Sequence, residues 1–211
     1  MVSLAEQKQE IKLKWLILFP LIFRINRTEA ERKRLKTLRT VEEFMLEMIQ
    51  RFLVYSSVIM LAGLLGANVY NSIVDAPNWG AAIPQSIDAA KHYFIAATPG
   101  TFYRFFSPAT QIVTLIALIA SWNGGWRIRG LAAAALVLSV SGDVLTFAYF
   151  YPRNSIMFGS EIQSVEALRD AWSGWSTMNW FRSAVCLFAT ISELGVLSRL
   201  ERHFAMRGQH K

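Results

Sequence analysis

Ionised and amide side chains inside long apolar runs are expensive, so those that occur there point to chemistry. The run from about Asn179 to Ser198 holds Asn179, Arg182, Cys186, Thr190 and Glu193 at spacings of three, four, four and three residues. That spacing puts all five on one stripe of a helix. Asn68, Asn71 and Asp75 share one face of an earlier run, and Ser139, Asp143 and Phe147 one face of a third. At a rise of about 1.5 Å per residue, Asn68, Asp143 and Arg182 lie roughly 9, 12 and 5 Å below their outer helix ends. Arginine is long enough to close that difference, so Asp143 and Arg182 are expected to pair, because either charge alone in hydrocarbon is untenable. Glu193 lies much deeper, where it is expected to snorkel or to meet basic residues. His92 is the one group on the outer side that titrates near neutral pH. It is either a general base for an acidic C–H or O–H, or a plain surface residue.

These polar groups collect at one depth, with His92 and Asn154 in the loops above them. Tyr70, Trp79, Phe147, Tyr151, Trp172, Trp175 and Trp180 surround them. Two readings fit. Buried amides and paired charges act as glue between helices. Alternatively, aromatic walls with a few converging polar groups form a site for a flat, apolar ligand with one or two oxygens.

The elements that position these residues are membrane spans. A spanning helix needs about 20 mostly apolar residues. Runs at 52–74, 105–122, 131–151 and 179–198 qualify, and the first two carry no charge within them. Hydrophobic residues make up 53% of the 211-residue chain and charged residues only 18%, against about 25% charged in soluble domains. The expected fold is all-α: an integral membrane four-helix bundle over 51–200. A basic amphipathic extension over 1–50 precedes it, and a basic tail over 201–211 follows. Trp15–Phe23 is too short to span and suits a segment lying in the interface. Thr28 and Glu31 have capping-box spacing, and an apolar stripe from Leu35 to Phe52 continues the helix they start. That stripe serves as a membrane anchor, or as a docking face for a protein partner through residues 28–50.

Of the 22 lysines and arginines, seventeen fall before the first span, in the link between spans two and three, or in the tail. The positive-inside rule then places both termini in the cytoplasm of an inner, cytoplasmic membrane. The net charge of +7 becomes a collar facing an anionic inner leaflet. No basic-aromatic nucleic-acid motif accompanies it, so a nucleic-acid partner is not expected.

Several chemistries are absent from the pattern. With Cys186 as the only cysteine, a disulfide scaffold, a thiol relay and a cysteine zinc cluster are excluded. His203 and His210 lie at the opposite end from His92, so paired-histidine haem ligation is absent. The Glu-x-x-His di-iron pattern is absent too. Gly124-Gly125 lacks the lysine of a phosphate loop. No cofactor and no metal site are expected, while haem, a metal or a quinone held in another way stays open.

Asn68-Val69-Tyr70, Pro77-Asn78-Trp79, Pro99-Gly100-Thr101-Phe102, Pro108, Thr146-Phe147, Tyr151-Pro152-Arg153-Asn154 and Asn179-Trp180-Phe181-Arg182 occur in that order. In this the chain resembles the anthrone-oxygenase-like family of small four-span membrane proteins, over about residues 52–198. The resemblance implies a four-helix membrane bundle. In the characterised fungal members the activity is oxidation of an anthrone to an anthraquinone by dioxygen, without a recognised metal or flavin. Carried onto this chain, His92 would be the base, with Arg182, Asn179, Asn154 and Asn68 as donors to an enolate oxygen and Asp143 orienting Arg182. The expected function is thus a membrane oxidoreductase for a small flat aromatic or quinol-like substrate, with Asn68, Asn71, Asn154, Asn179, Trp180, Phe147 and Tyr151 binding it. The alternatives are a non-catalytic membrane subunit that docks a partner, and a binder or carrier of apolar small molecules or lipids.

Overall fold

A computed structural model describes residues 29–208. Thr28, the Trp15–Phe23 segment and the residues from Gln209, including His210, lie outside the described residues. The chain divides into two compact units, with the break between Glu47 and Met48. The described part of the first unit is helical from Glu29, and its apolar side chains Leu35, Leu38, Val41 and Met45 are exposed.

The second unit is an all-α bundle. Helix α1 (Glu29–Tyr70) enters it and passes through a π-turn (Asn71–Asp75) into α2 (Ala76–Gly80). A short helix α3 (Gln85–Tyr93) leads to α4 (Pro99–Ala120). A tight turn connects α4 to α5 (Trp126–Leu145), which passes through a second π-turn (Thr146–Phe150) into α6 (Tyr151–Phe158). Helix α7 (Val165–Gly208) closes the bundle. Four stretches are long and apolar enough to cross a membrane: Glu31–Gly80, Pro99–Ala120, Trp126–Phe158 and Val165–Met206.

These bounds correct the expected ones. Helix runs past residue 74 and past residue 151, because each π-turn carries the chain on without breaking it. Pro152 does not end the third span. It stands directly after the second π-turn, near the start of α6. The expected loop 152–178 is helical except around Gly159–Ser164, and α7 starts well before Asn179.

Apolar and polar layers alternate along the bundle. At the α4–α5 turn, Val54, Ala117, Ile128, Ala132, Val196 and Leu200 form one apolar cluster. Leu61, Ala135 and Ala189 form a second, one or two turns further along. At the far end, Trp79, Ile87, Phe150, Met157, Leu168 and Trp175 form a third. Gly125 closes the tight turn at φ 92°, a conformation that glycine adopts without strain. Arg127 and Arg129 stack over Trp126 and Trp122 there, at 5.4 and 5.5 Å, an amphipathic pairing suited to an interface.

Candidate functional site

Between the second and third apolar clusters, all four long helices contribute polar side chains. The organising residue is Asn179 on α7, which is fully buried. Its Nδ2 donates to the Asn68 carbonyl at 2.9 Å and to Ser72 Oγ at 2.7 Å, tying α7 to α1 and its π-turn. Its Oδ1 accepts from Arg182 Nη2 at 2.6 Å. The three-residue spacing puts the two side chains on one helix face, where such a bond closes. Arg182 Nη1 donates to Thr146 Oγ1 at 3.2 Å in the second π-turn. The guanidinium lies 4.0 Å from the Phe150 ring centre and 5.1 Å from that of Tyr103. Aromatic faces thus cover the cation, and Arg182 is only 5% exposed.

The expected Asp143–Arg182 ion pair is not formed. Asp143 Oδ1 accepts from Ser107 Oγ at 2.6 Å and Oδ2 from Gln111 Nε2 at 2.7 Å, both on α4. The carboxylate turns toward the neighbouring helix of its own hairpin, where two donors stand one turn apart. Arg182 turns toward Asn179. Both line a small cavity of about 20 Å³ between them, with Asn68, Tyr103, Ser139 and Cys186. Asn68 Oδ1, Ser139 Oγ and Arg182 Nε, all on its wall, have no hydrogen-bond partner in the protein. A space of this size and polarity suits a single water.

On the other side of Arg182 lies a chamber of about 350 Å³. Rings of Trp79, Phe94, Phe150, Tyr151, Phe158 and Trp175 form its walls, and Asn71, Tyr103, Thr146, Asn154, Lys91 and Arg182 supply polar groups. Tyr103, Thr146 and Arg182 line both spaces, so they form the partition. Tyr103 Oη accepts from Asn71 Nδ2 at 3.0 Å, which leaves its hydroxyl proton free to be donated. A shallower groove beside the chamber shares Asn71 and Tyr103 with it and contains Asp75.

The structure sorts the sequence candidates. Asn71, Asn154, Tyr151 and Arg182 line the chamber, Asn68 and Asp143 the small cavity, and Asn179 holds Arg182 from behind. Phe147 and Trp180, expected as walls, are 64% and 51% exposed and line neither space. Each sits on the outer face of its helix. His92 is exposed, bonds the Asp88 carbonyl through Nδ1 at 2.7 Å, and is not on the chamber wall. Glu193 neither snorkels nor meets a basic residue: it is fully buried, with the Ser57 hydroxyl beside its carboxylate. Among the described residues, no cluster of three or more His, Cys, Asp or Glu side chains is placed to hold a metal ion.

The residues missed by sequence reasoning are on α4. Tyr103, Ser107, Thr110 and Thr114 recur at four, three and four residues, and the last three are buried. This is a fourth polar seam, carrying no formal charge. Ser57 on α1 joins it at the far end, 2.9 Å from Thr114 Oγ1. No family model matches the chain, and no curated protein or solved structure is significantly similar to it.

Proposed function

We propose that this chain is a membrane oxidoreductase that holds a small flat aromatic or quinol-like molecule in the chamber, with the molecule's oxygen against Arg182. The observation that carries the reading is a buried guanidinium on the wall of a 350 Å³ space otherwise dominated by rings. That volume falls at the small end of ligand pockets, about 300–1,000 Å³. The resemblance to the anthrone-oxygenase-like family supplies the reaction class.

The chemistry follows from the partition. Arg182 N–H groups and the Tyr103 hydroxyl offer donors to an oxygen whose negative charge grows on deprotonation. The proton passes to water. The electron-rich anion then reduces dioxygen, by two electrons for a hydroquinone and by four overall for an anthrone, whose methylene carbon takes up one oxygen atom and loses its two hydrogens. A hydroquinone and dioxygen yield a quinone and hydrogen peroxide, and an anthrone and dioxygen yield an anthraquinone and water. Asn154 and Asn71 orient the ring, and the aromatic walls exclude bulk water. His92 has no part in this version, because it stands off the chamber.

Oxygen uptake by the purified protein with anthrone and a hydroquinone panel tests the reading. Uptake that is lost in Arg182→Ala supports it; a folded sample that consumes no oxygen with any member of the panel overturns the oxidase. Saturable binding without product would instead make the protein a carrier of the same ligand class, a reading the same chamber favours. For orientation, we place both termini in the cytoplasm on the basic bias toward the α4–α5 turn end.

A further inference from the structure

We infer that the ligand of the chamber is an anion: a flat aromatic molecule with an ionised oxygen seated against Arg182. This rests on the ligand-site reading above and adds the ligand's charge to it. Arg182 is buried, yet among the described residues it makes no ion pair. Nη1 and Nη2 each give one of their two N–H groups to a neutral acceptor, Thr146 and Asn179, and each has a second to donate. The carboxylate that the sequence offers as a counter-ion, Asp143, is held by Ser107 and Gln111 instead.

The chamber wall repeats the bias. It includes two cationic side chains, Arg182 and Lys91, and among the described residues no acidic one. Lys91 leans on Asp88 at 3.7 Å, but the Asp88 side chain is 61% exposed, so solvent screens that pair. A neutral guest would leave the buried cation with Asp143, across the small cavity and already held by Ser107 and Gln111, as its nearest counter-charge. An ionised oxygen supplies one through charge-assisted hydrogen bonds, strengthened where water is excluded. The ring walls set the remaining requirement: Trp79 and Trp175, which meet edge to face at 5.0 Å, offer flat apolar surface rather than polar contacts.

Quenching of tryptophan fluorescence measures this, because Trp79 and Trp175 line the chamber. The probes are anthracene-2-carboxylate, its uncharged carboxamide, and dodecyl phosphate as a lipid-like anion competing for the same site. The carboxylate should bind at least about tenfold more tightly than the carboxamide at low salt. Arg182→Gln should abolish the difference, and Arg182→Lys should keep part of it. Lys91→Gln, at a half-exposed position that carries little folding load, should weaken the carboxylate alone, by less than about tenfold. Equal binding of acid and amide to the wild-type protein overturns the anion inference and leaves the ligand site standing. Binding of neither overturns the ligand site itself. Displacement by dodecyl phosphate at lower concentration than the aromatic acid overturns the aromatic part of the assignment.

Discussion

Arg182 Nη2 and Asn179 Oδ1 lie 2.6 Å apart, and through this contact the position of the guanidinium is set by a neighbouring helix. Asn179 Nδ2 is anchored on the Asn68 carbonyl and Ser72 Oγ, so the amide cannot rotate without breaking bonds to α1. Asn179→Leu fills much of the volume but removes three hydrogen bonds and strands buried groups on both sides. The expected loss is about 1–3 kcal/mol, read as a lowered unfolding midpoint in detergent. Asn179→Asp keeps an acceptor for Arg182 but also gives it a counter-charge, so it should retain more binding of the uncharged carboxamide probe than Asn179→Leu while weakening the carboxylate. Equal carboxamide binding by the two variants would mean that Asn179 does not position Arg182.

Asp143 belongs to the α4–α5 hairpin rather than to Arg182. In double-variant cycles, Asp143→Ala should couple to Gln111→Ala within the range of about 0.5–3 kcal/mol seen for side chains in one network. Its coupling to Arg182→Gln should be smaller. Unfolding midpoints of the four proteins in each cycle give both values, and the reverse ranking would restore the direct ion pair.

The four apolar runs and the Asn179–Arg182 stripe were legible in the sequence because each depends only on helical spacing. Asp143 was given the wrong partner for a physical reason. Depth along a helix is countable, but the direction a helix faces depends on its neighbour, and the neighbour's donors were Ser107 and Gln111, which carry no formal charge. The seam that includes Ser107 shows the same three-and-four spacing as the others. None of its members is charged at neutral pH, so nothing in it marks a buried charge in the sequence. The π-turns were not legible. Asn71–Asp75 and Thr146–Phe150 contain neither proline nor glycine. Each widens one helical turn and re-aims the side chains that follow, as such turns do beside functional sites. That re-aiming faces Asn71 and Thr146 to the chamber and leaves Phe147 outside it. Trp180 stands outside the site for a different reason: next to Asn179 it is rotated about 100° around the helix and cannot share its face.

Gly80 carries a steric load that its neighbours reveal. A Cβ at this position would stand 2.1 Å from Trp172 Cζ2 and 2.2 Å from Cε2. Trp172 cannot retreat freely, because its Nε1 donates to the Ala76 carbonyl at 2.6 Å and joins α7 to α2. Gly80→Ala should therefore cost about 1–3 kcal/mol, the usual penalty for overpacking a filled site. Trp172→Phe removes the bond and relieves part of the crowding, so the double variant should melt closer to Trp172→Phe than additivity allows. Strict additivity would show that the ring gives way without cost.

Orientation can be read with a membrane-impermeant thiol reagent, because the single native cysteine, Cys186, is buried and should contribute little background. Glu161 is exposed in the loop between α6 and α7, at the chamber end, and Asn123 is exposed in the turn between α4 and α5. The turn end carries Arg127 and Arg129, and Arg51, Arg199 and Arg202 belong to the same end of the bundle. Retaining that many cations on one side is what drives cytoplasmic placement. Glu161→Cys should react in intact cells, and Asn123→Cys only after the membrane is opened. Labelling of Asn123→Cys in intact cells would invert the topology. The chamber would then open toward the cytoplasm, and its ligand would have to come from inside the cell.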